Sequence, residues 1–493
     1  MRDTIRFLKG GEIIELENVG PTETLLDYLR LRRRETGTKE GCGEGDCGAC
    51  TIALGRLVHG QLVYQPVNSC ILLLGMIDGA EIVTVEDLVQ DERLHPVQKA
   101  MVDLHGSQCG FCTPGFIMTL FTLYHAADAD KTHKNVTEWL AGNLCRCTGY
   151  RPIVDAALEV CFDATDDAFS WRANETRETL QMLADSRDIF IGDATSFFSA
   201  PSTLDGLAAL YGQHPDATLI AGGTDVGLWI TKHLRELPKM IWLGRIEGLD
   251  RVEDSPSGVL IGAIATYAAT EKAVTGISED LGELWKRIGS KQVRASGTVG
   301  GNIANGSPIG DTPPALIALG ATLELQSLEG SRALALEDFF IEYGRQDRNE
   351  GEFVTGLFVP RLSSNQAFRC YKISKRFDQD ISSVMGAFRF TIEDGTIVAS
   401  RIAFGGMAGT PTRAPNAERA LTGAVLEDPS SWGASMQALL NDFEPLTDMR
   451  ASADYRMETA RALLAKALME VSGTAPGDIR ISARRGADND RAA

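Results

Sequence analysis

The sequence has 493 residues and a net charge of −19 at pH 7, with 44% hydrophobic and 23% charged residues. This length and composition are typical of about three globular domains. Because nucleic acids and anionic membrane surfaces bind basic faces, the negative charge argues against both partners. The N-terminal residues lack the apolar core of a signal peptide, and the most apolar short run, 70–77, is too short to span a bilayer. We therefore expect a cytoplasmic protein that binds neither nucleic acid nor membrane.

The cysteines are unevenly distributed, because nine of the ten lie between Cys42 and Cys161. In a reducing compartment, clustered cysteines predict metal binding rather than disulfides. This distribution indicates a cysteine-rich unit over residues 1 to about 160. The polar, acidic and aperiodic stretch 163–179 indicates a linker, and glycine-rich apolar segments begin near residue 190. The C-terminal residues have little to bury, so we expect them to be disordered.

The first predicted elements are a hairpin over 4–17, a helix over 24–37 and a return strand at 50–55. They flank the spacing C-x4-C-x2-C and a fourth cysteine, which is the pattern of plant-type ferredoxins with a 2Fe-2S cluster. These cysteines are Cys42, Cys47, Cys50 and Cys70. A loop around a cluster must turn sharply, which glycine permits; the glycines are Gly41, Gly43, Gly45 and Gly48. A zinc site or unrelated buried thiols are the alternatives, although zinc prefers two separated pairs.

A second set of cysteines follows as C-x2-C and then C-x-C. Its members are Cys109, Cys112, Cys145 and Cys147. Each pair precedes a predicted helix, the first opening at Thr113 and Pro114 and the second at Pro152. Four short helices would meet around the thiolates, and positive helix N-termini would stabilise their charge. Zinc remains an alternative for this pattern, but the ferredoxin-type loop upstream favours a second 2Fe-2S cluster.

Two further cysteines belong to neither set. Cys161 lies on the apolar face of the last predicted helix, and Cys370 has no other cysteine nearby in the sequence. We predict that both are buried thiols that bind no metal.

The second half contains two stretches rich in small residues, "ATLIAGGTDVGLW" at 217–229 and "VRASGTVGGNIANGSPIGDTPPALIALG" at 293–320. Backbone amides in such turns can approach a diphosphate or a flat ligand closely. An ordinary tight turn has the same composition, so this signal is weak alone. Neither a Rossmann glycine motif in a βαβ context nor a P-loop lysine motif is present.

The two cysteine motifs together resemble the iron–sulfur half of the xanthine oxidase family of molybdenum hydroxylases. The resemblance extends through "GCGEGDCGACT", "QCGFCTPG" and "NLCRCTGYRPI". It implies that the two sets of four cysteines bind two 2Fe-2S clusters, the first nearer the flavin and the second nearer the molybdenum–pterin cofactor. It also implies that Gln108 contacts the pterin across a partner interface, with an ordinary polar loop residue as the alternative.

The second half resembles the FAD-binding domain of the same family. The resemblance implies that the flavin diphosphate lies along the first stretch, at Leu219, Ile220, Ala221, Gly222, Gly223, Thr224, Asp225 and Val226. It implies a second phosphate loop at Thr298, Val299, Gly300, Gly301 and Asn302. Asp311 matches an acid that contacts the adenosine part, Val354 an aliphatic flavin-pocket residue, and Lys372 a basic residue near the isoalloxazine. The alternatives are strand core for Val354 and a solvated surface charge for Lys372.

Three further positions follow from this resemblance. Ile288 stands where some relatives carry an aromatic ring, so flavin stacking by this side chain is not expected. Asp378 and Asp380 lie where family members approach NAD.

The resemblance implies an α+β multidomain fold. We expect a β-grasp 2Fe-2S ferredoxin domain, a four-helix 2Fe-2S domain, and an α+β FAD-binding domain of the molybdenum-hydroxylase flavoprotein type with a C-terminal α+β subdomain. The expected ferredoxin domain is 1–88, the helical domain 89–165, the linker 166–190, the FAD-binding domain 191–365, the C-terminal subdomain 366–475 and the disordered tail 476–493.

The resemblance further implies an electron-transfer subunit of the bacterial xanthine dehydrogenase type. Two 2Fe-2S clusters and FAD would carry electrons from a large molybdenum–pterin subunit to NAD+, and no residue of this chain would catalyse purine hydroxylation. We expect a heterodimer or a dimer of heterodimers. A stand-alone NADH-dependent iron–sulfur flavoprotein reductase and a related molybdenum hydroxylase with another substrate are the alternatives.

Overall fold

The computed structural model describes residues 1–90, 92–127, 129–162 and 166–473. These residues form a multidomain α+β protein with two compact units. The first unit contains Met1–Asp250, Thr266–Ala268 and Gly289–Gly301, and the second contains Arg251–Ala265, Ala269–Ile288 and the described residues from Asn302 onward. The predicted tail at 476–493 lies outside the described residues.

The strands are numbered in chain order. They are β1 (Ile5–Lys9), β2 (Glu12–Leu16), β3 (Thr51–Val58), β4 (Gln61–Asn68), β5 (Glu81–Val83), β6 (Ile189–Gly192), β7 (Phe197–Ala200), β8 (Thr218–Ile220), β9 (Lys239–Trp242), β10 (Val252–Asp254), β11 (Gly258–Gly262), β12 (Thr322–Ser327), β13 (Gly330–Ala335), β14 (Phe340–Glu342), β15 (Arg345–Gln346), β16 (Phe353–Pro360), β17 (Gln366–Ile373), β18 (Val384–Glu393), β19 (Thr396–Gly405) and β20 (Thr412–Arg413).

The α-helices are numbered in the same way. They are α1 (Leu25–Asp27), α2 (Pro96–Asp103), α3 (Thr113–Tyr124), α4 (His133–Leu140), α5 (Arg151–Val160), α6 (Ala168–Trp171), α7 (Ala173–Leu183), α8 (Leu204–Gln213), α9 (Val226–Thr231), α10 (Tyr267–Thr275), α11 (Glu279–Lys286), α12 (Lys291–Ser296), α13 (Val299–Asn305), α14 (Thr312–Leu319), α15 (Leu336–Phe339), α16 (Pro415–Leu421), α17 (Gly433–Asp442) and α18 (Ala453–Ser472).

The first sheet of the first unit has the strand order β2-β1-β5-β3-β4. Strand β1 pairs antiparallel with β2 and parallel with β5, and β3 pairs antiparallel with β4 and β5. The predicted hairpin and return strand are therefore confirmed. The predicted helix is shorter than expected, because α1 passes into a π-helical turn at Tyr28–Arg32. Alternate side chains of β1, such as Ile5 and Phe7, are fully buried with Leu25, so the hydrophobic pattern fixes the strand register.

Four helices, α2 to α5, follow this sheet and share a buried core that includes Val97, Phe116, Leu120 and Ile153. Helix α3 begins at Thr113 with Cys112 as its N-cap, one residue before the predicted cap. Helix α5 begins at Arg151, with Pro152 in its first turn as predicted. Both cysteine pairs of the second set thus precede the first turn of a helix.

Both thiols outside the two sets are buried, as predicted. Cys161 is 3% exposed and its Sγ lies 3.6 Å from the carbonyl oxygen of Leu120. Cys370 is buried in β17, and its Sγ lies 3.3 Å from the carbonyl oxygen of Asp280.

The predicted linker at 166–190 is not aperiodic, because it contains α6 and α7. Its polar residues have buried partners that lie far away in the sequence. The carboxylate of Asp167 accepts hydrogen bonds from His95 Nε2 at 2.7 Å and His125 Nε2 at 2.9 Å. On the apolar side of α7, Leu180 and Leu183 pack against Leu8 of the first sheet. The acidic composition that indicated a linker therefore belongs to a segment fixed by tertiary contacts.

The His95–Asp167–His125 cluster predicts a dependence of stability on pH. Burial raises the pKa of Asp167, but hydrogen bonds from His125 and His95 outweigh this effect and leave the pKa below its ordinary value of 3.8. A carboxyl group whose pKa is lower in the folded state stabilises the fold above its unfolded pKa and loses this contribution as the pH falls. We expect Asp167→Asn to lower the free energy of unfolding by about 3 kcal/mol at pH 7.

Urea unfolding between pH 3 and pH 8 measures this effect. The difference between wild type and Asp167→Asn should be constant near neutrality and shrink only below about pH 4. The exposed Asp103→Asn provides the control, since its partner Lys99 lies on the surface of the same domain. A difference that is equal for the two variants would contradict the assigned role of Asp167.

The second sheet of the first unit has the order β6-β7-β9-β8, in which β7 and β8 are parallel to β9. The first small-residue stretch begins in β8 and continues into α9. Loops that follow parallel strands lie at the carboxyl edge of the sheet, where ligands commonly bind. This topology positions residues 219–226 for the site described below.

The second unit contains a five-stranded antiparallel sheet, β10-β11-β16-β12-β13, and a four-stranded antiparallel sheet, β17-β18-β19-β20. The latter packs with α16, α17 and α18 around a core that includes Phe388, Phe404, Trp432 and Leu464. Among the helices of the described ranges, none combines the length and apolarity that crossing a membrane requires.

Candidate functional site

The first set of cysteines is arranged as two pairs. The Sγ atoms of Cys50 and Cys70 lie 3.3 Å apart in a buried position. Cys42 and Cys47 form the second pair: both are half-buried, and the neighbouring Cys47 thiol lowers the pKa of Cys42. This pairing fits a cluster in which each of two iron atoms binds two thiolates.

Backbone amides stabilise a negative charge on Cys42. Its Sγ accepts hydrogen bonds from the N–H groups of Glu44, Asp46 and Cys47, each at 3.4 Å. The hydrogen bond from the Cys47 thiol, together with these amides, lowers the pKa of Cys42 to about 5. A thiol with such a low pKa is deprotonated at neutral pH, which is the state that binds metal.

The glycines of this loop serve two different purposes. Gly43, Gly45 and Gly48 adopt positive φ angles of 65°, 77° and 68°, as a sharp turn requires. Glycine is needed at position 41 for a different reason, because a Cβ at Gly41 would lie 2.7 Å from the Sγ of Cys47. The prediction that glycine is required in this loop is consistent with both observations.

The second set of cysteines also forms two pairs. Burial and the neighbouring Cys145 thiol raise the pKa of Cys112, and the Cys109 thiol raises the pKa of Cys147, so Cys112 lies next to Cys145 and Cys109 next to Cys147. Cys109 and Cys147 are exposed, whereas Cys145 is buried. The Sγ of Cys145 also accepts a hydrogen bond from the N–H of Thr148 at 3.5 Å. One side of this thiol group therefore faces solvent.

The two cysteine loops contact each other directly. The N–H of Leu144, next to Cys145, donates to the carbonyl oxygen of Cys47 at 3.0 Å. One residue earlier, Asn143 Nδ2 donates to the carbonyl oxygen of Gly48 at 3.2 Å. Cys47 of the first set is thus connected to Cys145 of the second through one hydrogen bond and one intervening residue, Leu144.

The two small-residue stretches meet within the first unit. A Cβ on Gly222 would overlap the carbonyl oxygen of Ser296, so the chains approach each other there as only glycine allows. Thr298 Oγ1 accepts the N–H of Gly301 at 3.1 Å. The structure therefore brings together residues 219–226 and 298–301, which the sequence analysis assigned to one flavin.

The first of these stretches also contacts the first cysteine group. Cβ atoms added to Gly223 or Gly227 would lie 3.1 or 2.9 Å from the carbonyl oxygen of Ile71, the residue after Cys70. Lys232 follows α9 and its Nζ contacts the carbonyl oxygen of Cys42. Lys232 was not predicted as a site residue, because no local pattern distinguishes a lysine that contacts a loop 190 residues away.

The remaining flavin candidates lie in the second unit. The carboxylate of Asp311 accepts hydrogen bonds from Lys372 Nζ and Ser382 Oγ, both at 2.5 Å. Lys372 is 8% exposed, so it is not the solvated surface charge that the sequence allowed. The ion pair shows that the side chains of Asp311 and Lys372 are in contact, although the resemblance implied that they contact opposite ends of the flavin. Their individual roles stay predictions.

Two further candidates of the second unit differ in their surroundings. Asn302 Oδ1 is buried, and none of the described residues provides a hydrogen-bond partner for it. A polar ligand would satisfy this oxygen, which fits a cofactor site. Val354 is buried in β16 opposite Leu325, which also suits a strand-core residue.

The other predicted positions lie on the surface or at its edge. Gln108 and Asp378 are exposed, and Ile288 is half-buried. Asp380 accepts the N–H of Arg376 at 2.9 Å and lies 3.6 Å from Arg450. The assignments of Gln108 to a pterin contact and of Asp378 and Asp380 to NAD stay predictions, as does the expectation that Ile288 does not stack on the flavin.

Four protein families match successive parts of the chain. They are described as a 2Fe-2S iron-sulfur cluster binding domain at 9–72, a 2Fe-2S binding domain at 84–158, an FAD binding domain in molybdopterin dehydrogenase at 193–362, and a CO dehydrogenase flavoprotein C-terminal domain at 369–471. The expected 2Fe-2S and FAD cofactors are thus supported.

Individual proteins agree with these matches. The xanthine dehydrogenase of Emericella nidulans is 31% identical over 499 residues, which cover 90% of this chain and 36% of that protein. The chain spans about a third of the length of the curated relatives it matches.

Solved structures also match. The carbon monoxide dehydrogenase from Oligotropha carboxidovorans has a chain with a TM-score of 0.53 at 26% identity, covering 58% of this chain and 100% of that one. Quinoline 2-oxidoreductase from Pseudomonas putida 86 has a chain with a TM-score of 0.52 at 25% identity, covering 57% of this chain and 98% of that one. The chain therefore belongs to the xanthine oxidase family of molybdenum hydroxylases, whose iron–sulfur and FAD-binding domains it carries.

Proposed function

We propose that the chain is the electron-transfer component of a xanthine dehydrogenase. Two 2Fe-2S clusters and FAD, when bound, accept electrons released by purine hydroxylation at a partner's molybdenum centre and pass them to NAD+. The observation that carries this proposal is the contact of the first cysteine group with both the second cysteine loop and the first small-residue stretch of the FAD-binding domain. The similarity to xanthine dehydrogenases over 90% of the chain supports the substrate.

We assign each cluster to one of the two cysteine sets. The first cluster binds Cys42, Cys47, Cys50 and Cys70. The second binds Cys109, Cys112, Cys145 and Cys147. The paired thiols and the amide hydrogen bonds to Cys42 support this assignment over zinc, because plant-type cysteine spacing accompanies them. Thiolate ligands also favour a reducing compartment, so we place the protein in the cytoplasm.

We assign the flavin to residues 219–226 and 298–302, with Asp311, Val354 and Lys372 as further contacts. At Gly222 the backbones of the two stretches meet as only glycine allows, and the small side chains of this region suit the close approach of a diphosphate. The buried Oδ1 of Asn302 needs a partner that a bound cofactor can provide.

We propose that a molybdenum-binding subunit covers the second cysteine group. Cys109, Cys147 and Gln108 are exposed there, and Phe111 and Leu144 expose 48% and 45% of their surfaces. Exposed aromatic and aliphatic side chains around a redox group are typical of an interface. The matched solved chains are covered over 98–100% of their length, which supports a separate chain for the molybdenum. A heterodimer or a pair of heterodimers is expected.

Cofactor analysis and turnover assays test this function. The purified chain should contain about four iron atoms and one FAD, without stoichiometric zinc. NADH should reduce its FAD, whereas xanthine with NAD+ should yield urate only after the molybdenum partner is added. Zinc in place of iron, or urate formation by the isolated chain, would contradict the proposal.

A related hydroxylase with another substrate is the second candidate. It is favoured by the likeness to chains from carbon monoxide dehydrogenase and quinoline 2-oxidoreductase. The complex that co-purifies with this chain should be assayed with xanthine, carbon monoxide and quinoline. Turnover of xanthine alone supports the first candidate, and turnover of another substrate supports the second. If no molybdenum protein co-purifies and NADH reduces an acceptor protein, the chain is a stand-alone reductase.

A further inference from the structure

A buried amide from the FAD-binding domain lies between the two cysteine groups. Gln292 in α12 is 1% exposed. Its Nε2 donates to Asn143 Oδ1 at 2.9 Å and lies 3.2 Å from Thr119 Oγ1 and 3.3 Å from Thr51 Oγ1. These three partners come from three different segments of the chain, so one side chain connects them all.

Each partner is close to a proposed cluster ligand in the sequence. Thr51 immediately follows Cys50 of the first set, and Asn143 lies two residues before Cys145 of the second. Thr119 lies in α3, the helix that begins after Cys112. Gln292 therefore contacts the supports of both clusters.

The two threonine hydroxyls can accept hydrogen bonds from Gln292, because each donates its own proton to another group. The hydroxyl of Thr51 donates to the carbonyl oxygen of Gly48 at 2.7 Å, and that of Thr119 donates to Asn143 Oδ1 at 2.8 Å. Both hydroxyl oxygens therefore keep lone pairs that can accept from Gln292. Because the network is buried, removing Gln292 Nε2 would break the hydrogen bonds that connect Thr51, Thr119 and Asn143 to α12 and so loosen the arrangement.

Close backbone packing surrounds the same amide. A Cβ on Gly142 would overlap Gln292 Oε1, and Cβ atoms on Gly48 or Gly115 would overlap the carbonyl oxygens of Gly142 or Gly48. These contacts leave no room for the loops to approach further. The hydrogen bonds of Gln292 oppose their separation, so the spacing of the loops is constrained in both directions.

We propose that Gln292 is a positioning residue that fixes the distance between the two iron–sulfur clusters. This inference rests on the proposed electron-transfer function. In the transfer it supports, one electron leaves the second cluster and reduces the first, without forming or breaking a bond. The rate of electron tunnelling falls steeply with distance, so a small separation of the loops should slow it.

Gln292→Met tests the proposal, because methionine has a similar length but lacks the amide. The electron paramagnetic resonance spectrum of the fully reduced protein should retain both cluster signals but show a weaker magnetic interaction between them. In stopped-flow experiments with NADH, FAD should be reduced at the wild-type rate. Reduction of the second cluster should be slower than in the wild type.

Gln98→Met provides a matched control. Gln98 is also buried, but within the described residues its side chain accepts the N–H of His95 and donates to the carbonyl oxygen of Val85, neither of which belongs to a cysteine loop. It should lower thermal stability without changing the magnetic interaction. An unchanged interaction in Gln292→Met, with both clusters present, would overturn the inference while leaving the proposed function intact.

A second variant covers the case in which Gln292→Met loses a cluster. Thr119→Val keeps the side-chain volume but removes the hydroxyl that Gln292 and Asn143 share, and it should weaken the same interaction. An unchanged interaction in this variant would also overturn the inference. A wild-type protein that lacks one or both cluster signals would instead contradict the proposed function.

Discussion

Replacement of Cys147 by serine should remove the second cluster and leave the first. Cys147 is exposed and lies next to Cys109, so the variant loses a proposed ligand without creating a cavity in the core. We expect the iron content to fall from about four atoms per chain to about two. One of the two electron paramagnetic resonance signals should disappear. Reduction of FAD by NADH should continue, because the first cluster and the flavin residues are unchanged.

Cys161→Ser is the matched control for this experiment. Cys161 is buried and its Sγ lies near a backbone carbonyl, which places it in the packing of α5 rather than among the ligands. The variant should keep both cluster signals while losing thermal stability. Loss of a cluster from Cys161→Ser, or two intact clusters in Cys147→Ser, would show that the ligand assignment is wrong.

Replacement of Gly222 by alanine should greatly weaken FAD binding. The added Cβ would overlap the carbonyl oxygen of Ser296 and force apart the two stretches that we assign to the flavin. Overpacking of this kind costs about 1–3 kcal/mol, which corresponds to a loss of affinity of about 5- to 150-fold if it falls on the cofactor site. The ratio of FAD to protein after purification, and the dissociation constant on adding FAD back, measure the effect.

The iron content distinguishes a local effect from misfolding. Gly222→Ala should retain both clusters, since its overlap lies outside the two cysteine loops. Gly433→Ala serves as the control, because a Cβ at Gly433 would meet no other atom within 4 Å. It should bind FAD as the wild type does. Full FAD occupancy in Gly222→Ala would contradict the assignment of this loop to the flavin.

Local patterns were sufficient for several elements. Alternation of apolar residues predicted β1, β2 and β3, and the cysteine spacing predicted two groups of four thiols that the structure arranges as pairs. Such predictions succeed because strand alternation and loop spacing depend on neighbours in the sequence. The helix after β2 was predicted too long, because a π-helical turn ends it at Arg32.

The linker shows why composition alone was insufficient. Acidic residues between two domains are typical of a flexible segment. Asp167 is nevertheless buried, and its carboxylate accepts hydrogen bonds from His95 and His125. Asp185, near the end of the same segment, is bonded to Arg6 at 2.7 Å and Arg245 at 2.9 Å. The sequence shows each charged residue but not which residue it pairs with, because the partners come together only when the sheets and helices pack.

The amino-acid sequence was enough to predict the family and the order of its iron–sulfur and FAD-binding domains, because motifs such as cysteine spacing involve residues that are neighbours in the sequence. Only the tertiary structure could show that Gln292 contacts residues next to both cysteine sets and that Lys372 forms an ion pair with Asp311. It also showed that a side chain at Gly222 would overlap the carbonyl oxygen of Ser296. The physical reason is the same in each case. Hydrogen bonds, close backbone contacts and buried ion pairs act over a few ångströms in space, whereas their partners are separated by tens or hundreds of residues along the chain.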